Sequence, residues 1–207
     1  MKRPQILLAS ASPRRAELLA QLGLTCVALP QDIDESRRLG EPPLDYVQRM
    51  AREKAAAATP ALAARGGVLI ASDTCVSLRD EVFGKPDTAL EAAATLSQLS
   101  DTTHSVRSAV CVLASHGDGE VREVGLRVAH TRVRFCLIDE AAMARYWQSG
   151  EPLGKAGGYA IQGLGAQFVR SIEGSYSGVM GLPLFETAAL LGLAGVEGML
   201  VQNTGSA

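Results

Sequence analysis

ILLASASPRRAELLAQLG, residues 6–23, reads as a strand, a tight polar turn and a helix in direct succession. Residues 6–9 are a short apolar run of the kind that forms a buried strand. Ser12 is placed to cap a helix, with Pro13 at the first helical position where no N–H is needed. Glu17 supports the first turn, and Leu18, Leu19 and Leu22 make the face to be buried. The succession predicts an α/β protein, and ligands of α/β proteins bind at strand ends. A helix N-terminus adds free N–H groups and the positive end of a dipole, which together favour an anion. Ser10 lies in the turn, and Arg14 and Arg15 bring two guanidiniums to it, so the stretch reads as a phosphate site.

The pattern continues on either side of an acidic loop. Residues 25–29 predict a second strand, and QDIDE at 31–35 a solvated turn. Glu41, Pro42 and Pro43 introduce a helix over residues 44–58, on which Lys54 reads as an ordinary surface lysine. Residues 67–71 lead into SDTCV, with Val68, Leu69 and Ile70 as a buried strand and Asp73 at its end. A carboxylate at that place suits a metal ligand or a general base. Residues 81–88 read as a hairpin-like return, with Pro86 holding Lys85 extended. Thr88 caps a helix to residue 99, with Glu91 completing a capping box. A long strand is predicted over 104–115 and one or two antiparallel strands over 121–135, separated by a turn at 117–119, and His104 reads as structural. Asp139 caps a helix that ends at Gly150. Residues 151–186 are glycine-rich without a long apolar run, a composition suited to a binding surface, and a last helix runs to about 193. The tail from 194 predicts fraying.

The 207 residues fit a single domain, possibly two-lobed, spanning 1–207 with its ordered core over about 1–193. The net charge of −2 argues against a nucleic-acid partner and leaves room for a local anion site. Cys26, Cys75, Cys111 and Cys136 form no CxxC pair, which argues against zinc and for a reducing compartment. The apolar run near the N-terminus is too short for a signal peptide, and no stretch reaches membrane-spanning length, so the expected location is cytoplasmic. Lysine is scarce, 4 against 16 Arg, so Lys54, Lys85 and Lys155 gain weight as site residues.

Arg14, Arg15, Glu35, Lys54, Asp73, Lys85 and Lys155 form a set in which cations outnumber acids and no nucleophile–His pair occurs. That set suits a polyphosphate substrate with a divalent cation. No GxxxxGK[ST] is present, which excludes a P-loop, and no GxGxxG follows a strand.

ASASPRRAELLAQLG, AREKA, ASDTCV, FGKP, LSDTTHSV, EPLGKAGGYAIQG and SYSGVMGLPLFET, in register from about residue 7 to 191, resemble the septum-formation inhibitor (Maf) family of nucleoside triphosphate pyrophosphatases. The resemblance implies a mixed twisted sheet with flanking helices, two lobes around a cleft, similar to the inosine-triphosphate pyrophosphatases. It implies hydrolysis of a nucleoside triphosphate to monophosphate and pyrophosphate with a divalent cation, Mg2+ or Mn2+, and it suggests a homodimer. Asp73 matches the catalytic acid position, where it also meets the metal with Glu35. Ser10, Arg14, Arg15, Glu35, Lys54 and Lys85 match conserved polar positions. Arg14, Thr74 and Gln162 match the subgroup acting on dTTP and UTP, and the Gln162 amide suits a pyrimidine edge. Lys155 is placed near the same cleft. Asp101 stands where the family commonly has Gly, and Ser108 where Thr is usual; both are expected at the edge of the site. A nucleotide-binding regulator of cell division with little turnover, and a pyrophosphatase preferring 7-methyl-GTP, remain as alternatives.

Overall fold

A computed structural model describes residues 4–116 and 119–197. Its seven strands are β1 (Ile6–Leu8), β2 (Cys26–Ala28), β3 (Gly67–Leu78), β4 (Glu81–Phe83), β5 (Thr103–Ser115), β6 (Val121–Phe135) and β7 (Val169–Glu173). They form one mixed sheet in the order β2-β1-β3-β5-β6-β7, with β4 paired to β3. β1 runs parallel to β2 and β3, and the remaining pairs are antiparallel. The helices are α1 (Pro13–Gln21), α2 (Pro43–Arg65), α3 (Ala89–Leu99), α4 (Glu140–Gln148), α5 (Tyr176–Met180) and α6 (Leu184–Leu193).

The expected strand–turn–helix over residues 6–23 is therefore present as β1 and α1. Side chains on a strand alternate between faces, and the core follows that alternation. Ile6, Leu8, Val68 and Ile70 pack with Leu18 and Leu19 of α1 and with Leu190 and Leu191 of α6. Leu7, Leu69, Ala71 and Cys75 pack on the other face against Val47, Ala51, Ala55 and Leu62 of α2. Fully burying each such leucine contributes about 2 kcal/mol. A third cluster, with Val76, Phe83, Leu96, Val106 and Phe135, sits between the far half of the sheet and helices α3 and α4.

One irregularity of pairing creates the site. On the same edge, β3 meets β1 through residues 68–70 and β4 through residues 76–78. Neither neighbour pairs with residues 71–75, and there the two lobes part. Asp73 is thus not at the end of a strand, as the apolar run ending at Ile70 suggested. It lies in the middle of a 12-residue strand, just past the C-terminal end of its parallel partner.

Other boundaries differ from expectation for local reasons. α2 runs to Arg65 rather than to about 58, because the alanine-rich segment continues the helix through Pro60. Thr88 and Asp139 cap α3 and α4 as expected, accepting from Glu91 N and Ala142 N. Residues 121–135 form one strand. The glycine-rich stretch contains two short 3-10 turns, β7 and α5. Asp101 has φ +49, a left-handed conformation natural to glycine, and its carboxylate ion-pairs with Arg134 at 2.6 Å. It does not line the cleft. Of the expected 117–119 turn, residues 117–118 lie outside the described residues, as do residues 198–207 of the tail; Val196 is buried, its N–H donating to Leu191 O.

Candidate active site

The gap along β3 opens into a cleft of about 880 Å3. The residues expected to act in catalysis or to hold substrate or metal all line it, whereas Asp101 and Ser108, expected at its edge, do not. Ser10, Arg14 and Arg15 come from the β1–α1 turn, Glu35 and Lys54 from the acidic loop and α2, Asp73 and Thr74 from β3. Lys85 follows β4, while Lys155 and Gln162 come from the glycine-rich stretch. Strand alternation sends Asp73 toward α2 and Thr74 toward α5.

On the α2 side, Lys54 is the hub. Its Nζ lies 2.6 Å from Asp73 Oδ1 and 2.7 Å from Glu35 Oε1. Lys85 reaches the other oxygen of Glu35 at 3.2 Å. Lys54 is buried, contrary to its reading as a surface lysine. A signal for this was available, since 54 falls on the same helical face as Val47, Met50, Ala51 and Ala58. Burial would raise the Glu35 carboxyl, but the hydrogen bonds and charges of Lys54 and Lys85 outweigh it and hold Glu35 below the usual range. Tyr46, which pattern reading missed, donates from its hydroxyl to Glu35 O at 2.9 Å. Burial, helped by the Asp73 and Glu35 charges, pushes its phenol up to about 12. Arg49 clasps the same loop with a forked pair to Glu41, at 2.6 and 2.7 Å, and donates to Ser36 O at 3.0 Å.

The β1–α1 turn forms the anion end. Ser12 occupies the N-cap position, but its side chain makes no cap bond. Ser10 instead braces the turn: its Oγ accepts from Ser12 N and from Arg15 Nη1, each at 3.1 Å. Arg15 Nε donates to Gly181 O at 2.9 Å, and Ser72 Oγ lies between that carbonyl, at 3.0 Å, and Ala109 O, at 2.8 Å. Arg15 therefore ties α1 to the turn before α6. Burial lowers its guanidinium from its ordinary value, against the opposing pull of Asp73 and Glu35.

The glycine-rich stretch makes the facing wall, and Gln162 on it is exposed to the cleft. Glu151, a second residue the sequence reading missed, anchors this wall. Its Oε1 accepts from Tyr146 Oη at 2.7 Å and Gly165 N at 2.8 Å, and its Oε2 from Leu164 N at 2.8 Å. Tyr146 Oη accepts in turn from Ala160 N. Both flanks of Gln162 are thereby fixed to one carboxylate. Gly163, at φ +131, passes so close that a Cβ would sit 2.2 Å from Glu151 Oε2. Lys155 Nζ donates to Glu151 O, and burial, then the Arg14 charge, lowers its ammonium.

For a metal, the cleft offers the Glu35 and Asp73 carboxylates; among the described residues no group of three or more His, Cys, Asp or Glu is assembled. Two hard oxygen ligands fit Mg2+ or Mn2+, which commonly retain waters and take the rest of their shell from substrate phosphates.

A dTTP/UTP pyrophosphatase of Anaeromyxobacter sp. (strain Fw109-5) is 49% identical, covering 92% of this chain and 90% of its own. Proteins of that name from Cupriavidus metallidurans and Neisseria gonorrhoeae are 50% and 46% identical, covering 92% and 89% of this chain and 96% and 91% of their own. Among solved structures, a nucleoside-triphosphatase / dITP/XTP pyrophosphatase from Mycobacterium abscessus aligns over 63% of this chain and 72% of its own at TM-score 0.37 and 17% identity, too slight a likeness to inform the site. The sequence model of the Maf-like protein family matches residues 5–194, and with relatives this similar over nine-tenths of its length the chain belongs to that family.

Proposed function

We propose that the protein hydrolyses dTTP and UTP to the monophosphate and pyrophosphate. The observation that carries this reading is the convergence of Arg14, Arg15, Lys54 and Lys85 on a cleft that also holds the Asp73 and Glu35 carboxylates. In this reading the triphosphate lies along the α1 N-terminus, where backbone N–H groups and the two arginines take its charge. Lys54 and Lys85 neutralise charge that develops on the phosphates as pyrophosphate leaves. Asp73 accepts the proton of the water that attacks the α-phosphorus. Glu35 and Asp73 would hold a divalent cation, which when bound would screen the phosphates and acidify water. Gln162, on the wall fixed by Glu151, hydrogen-bonds the base.

The four cysteines are free thiols, and no described helix is long and apolar enough to cross a membrane. Both support placing the reaction in the cytoplasm. A homodimer is proposed on the family resemblance, for sedimentation to test.

The deciding experiment incubates the protein with dTTP, UTP, CTP, GTP and 7-methyl-GTP in Mg2+ or Mn2+ and separates the products. Monophosphate and pyrophosphate from dTTP and UTP ahead of the others is the expected result. Nucleotide binding without products, or a preference for 7-methyl-GTP, overturns it.

A further inference from the structure

Lys54 Nζ stands where the two carboxylates of the cleft converge, 2.6 Å from Asp73 Oδ1 and 2.7 Å from Glu35 Oε1. Lys85 takes Glu35 Oε2 at 3.2 Å, so ammoniums hold three of the four carboxylate oxygens. The two lysines are not equivalent. The Lys85 side chain is 56% exposed and can part from Glu35 into water, whereas that of Lys54 is 9% exposed and rises from the buried face of α2. Arg15 also feels both carboxylate charges, which sets three cations against two acids. Among the described residues no third His, Cys, Asp or Glu joins the pair to make a fuller metal-holding group.

A divalent cation shared by Asp73 and Glu35 needs the same two oxygens, since Mg2+ and Mn2+ bond oxygen ligands at about 2.1 Å. An ammonium and such an ion cannot both lie between them. Once displaced, Nζ would be a buried charge without a partner, which is costly, and the cleft would carry an excess of positive charge. A triphosphate removes both obstacles. Its oxygens accept from the displaced ammonium, and its charges offset the excess. The flexible stem and rotatable donors of lysine permit that move. We propose that Lys54 is an exchangeable counter-ion: its ammonium keeps a lone divalent cation out of the Asp73–Glu35 pair, and the nucleotide admits the cation by drawing that ammonium onto its phosphates. This rests on reading the chain as a nucleoside triphosphate pyrophosphatase and adds an order of assembly, in which cation and nucleotide enter together.

The test counts free Mn2+ by electron paramagnetic resonance, first with no nucleotide added. Lys54→Met keeps the length of the side chain without its charge, and is expected to bind the ion roughly tenfold or more tightly than wild type, the effect of removing one nearby charge. Lys54→Arg retains a cation between the carboxylates and is expected to show no gain. Adding Asp73→Asn to Lys54→Met is expected to abolish the gain, which places the ion at the pair. With a saturating α,β-imido analogue of dTTP, measured against the analogue alone, the difference between wild type and Lys54→Met is expected to disappear. Should Lys54→Met not fold, Lys54→Gln, whose amide still donates to one carboxylate, must show the gain instead. Unchanged or weaker binding by the neutral variant, an equal gain in Lys54→Arg, a gain that survives Asp73→Asn, or a difference that persists with the analogue overturns the inference. Turnover of dTTP and UTP by wild type is followed alongside. Products with Mn2+ binding unmoved by Lys54→Met sink the inference and leave the enzyme reading standing; the gain without products does the reverse.

Discussion

Lys54 Nζ and Asp73 Oδ1 lie 2.6 Å apart and join the buried face of α2 to the middle of β3, with both residues shielded from solvent. The same ammonium holds Glu35 at 2.7 Å, so one lysine fixes the spacing of the two carboxylates assigned to the chemistry. A cation shared between two acids in a sheltered cleft avoids the cost of leaving either carboxylate unpaired.

Asp73→Asn keeps the shape and one acceptor oxygen for Lys54 but removes the proton acceptor. Its kcat on dTTP or UTP is expected to fall roughly a hundredfold or more, the scale of general-base catalysis. Binding of a non-hydrolysable dTTP analogue is expected to persist. Steady-state rates together with calorimetry check this, and near-normal turnover contradicts the assignment.

Arg49 touches no cleft residue named in the chemistry, yet its fork on Glu41 and its bond to Ser36 O hold the loop that presents Glu35. Arg49→Lys keeps the charge and loses the fork. The Mg2+ concentration for half-maximal activity is expected to rise about tenfold, the usual cost of a disturbed outer shell, with kcat at saturating Mg2+ retained. A metal titration of activity reads both quantities.

Glu151→Gln turns an amide toward the N–H groups of Leu164 or Gly165 that the carboxylate now accepts. The wall loosens, and KM for dTTP and UTP is expected to rise about tenfold while kcat falls far less. Gln162→Ala should flatten the preference for pyrimidines without this wider loosening. Hydrogen exchange of residues 160–165 separates the two variants, since the first raises exchange there and the second does not.

His104 gives a pH signature away from the chemistry. It is buried against Phe135 and Tyr159, its Nε2 2.8 Å from Tyr159 Oη and its Nδ1 unpaired. Burial lowers its pKa from 6.5 to about 4. Between those values the unfolded chain binds a proton that the folded protein refuses, so stability falls as pH drops through that window and levels off below about 4. The loss is on the order of 3 kcal/mol. Urea unfolding at pH 7 and near pH 4.5 measures it, and His104→Gln is expected to show a smaller difference between the two. An equal difference in both proteins refutes the assignment.

Much of the fold follows from local rules. The apolar run before Ser10, the Pro13 start of α1, and the caps at Thr88 and Asp139 are satisfied within a few residues, so they were legible in the chain. The motifs also named the residues lining the cleft, Asp73 and Gln162 among them. What local pattern misplaced were features set by distant partners. α2 outran its expected end, Ser12 left the first turn of α1 without a side-chain cap, and Glu151 gave no sign of its role.

The sequence by itself determined the order of strands and helices up to the glycine-rich stretch and the charge types that meet a polyphosphate, because periodicity, capping and residue chemistry act over a few positions. Only the tertiary structure decided that Lys54 turns inward, that β3 continues through Asp73, and that the hydroxyls of Thr74 and Ser108 meet. Those outcomes depend on pairings between residues 19 and 34 positions apart, and on a gap between β1 and β4 that exists only once the sheet is assembled.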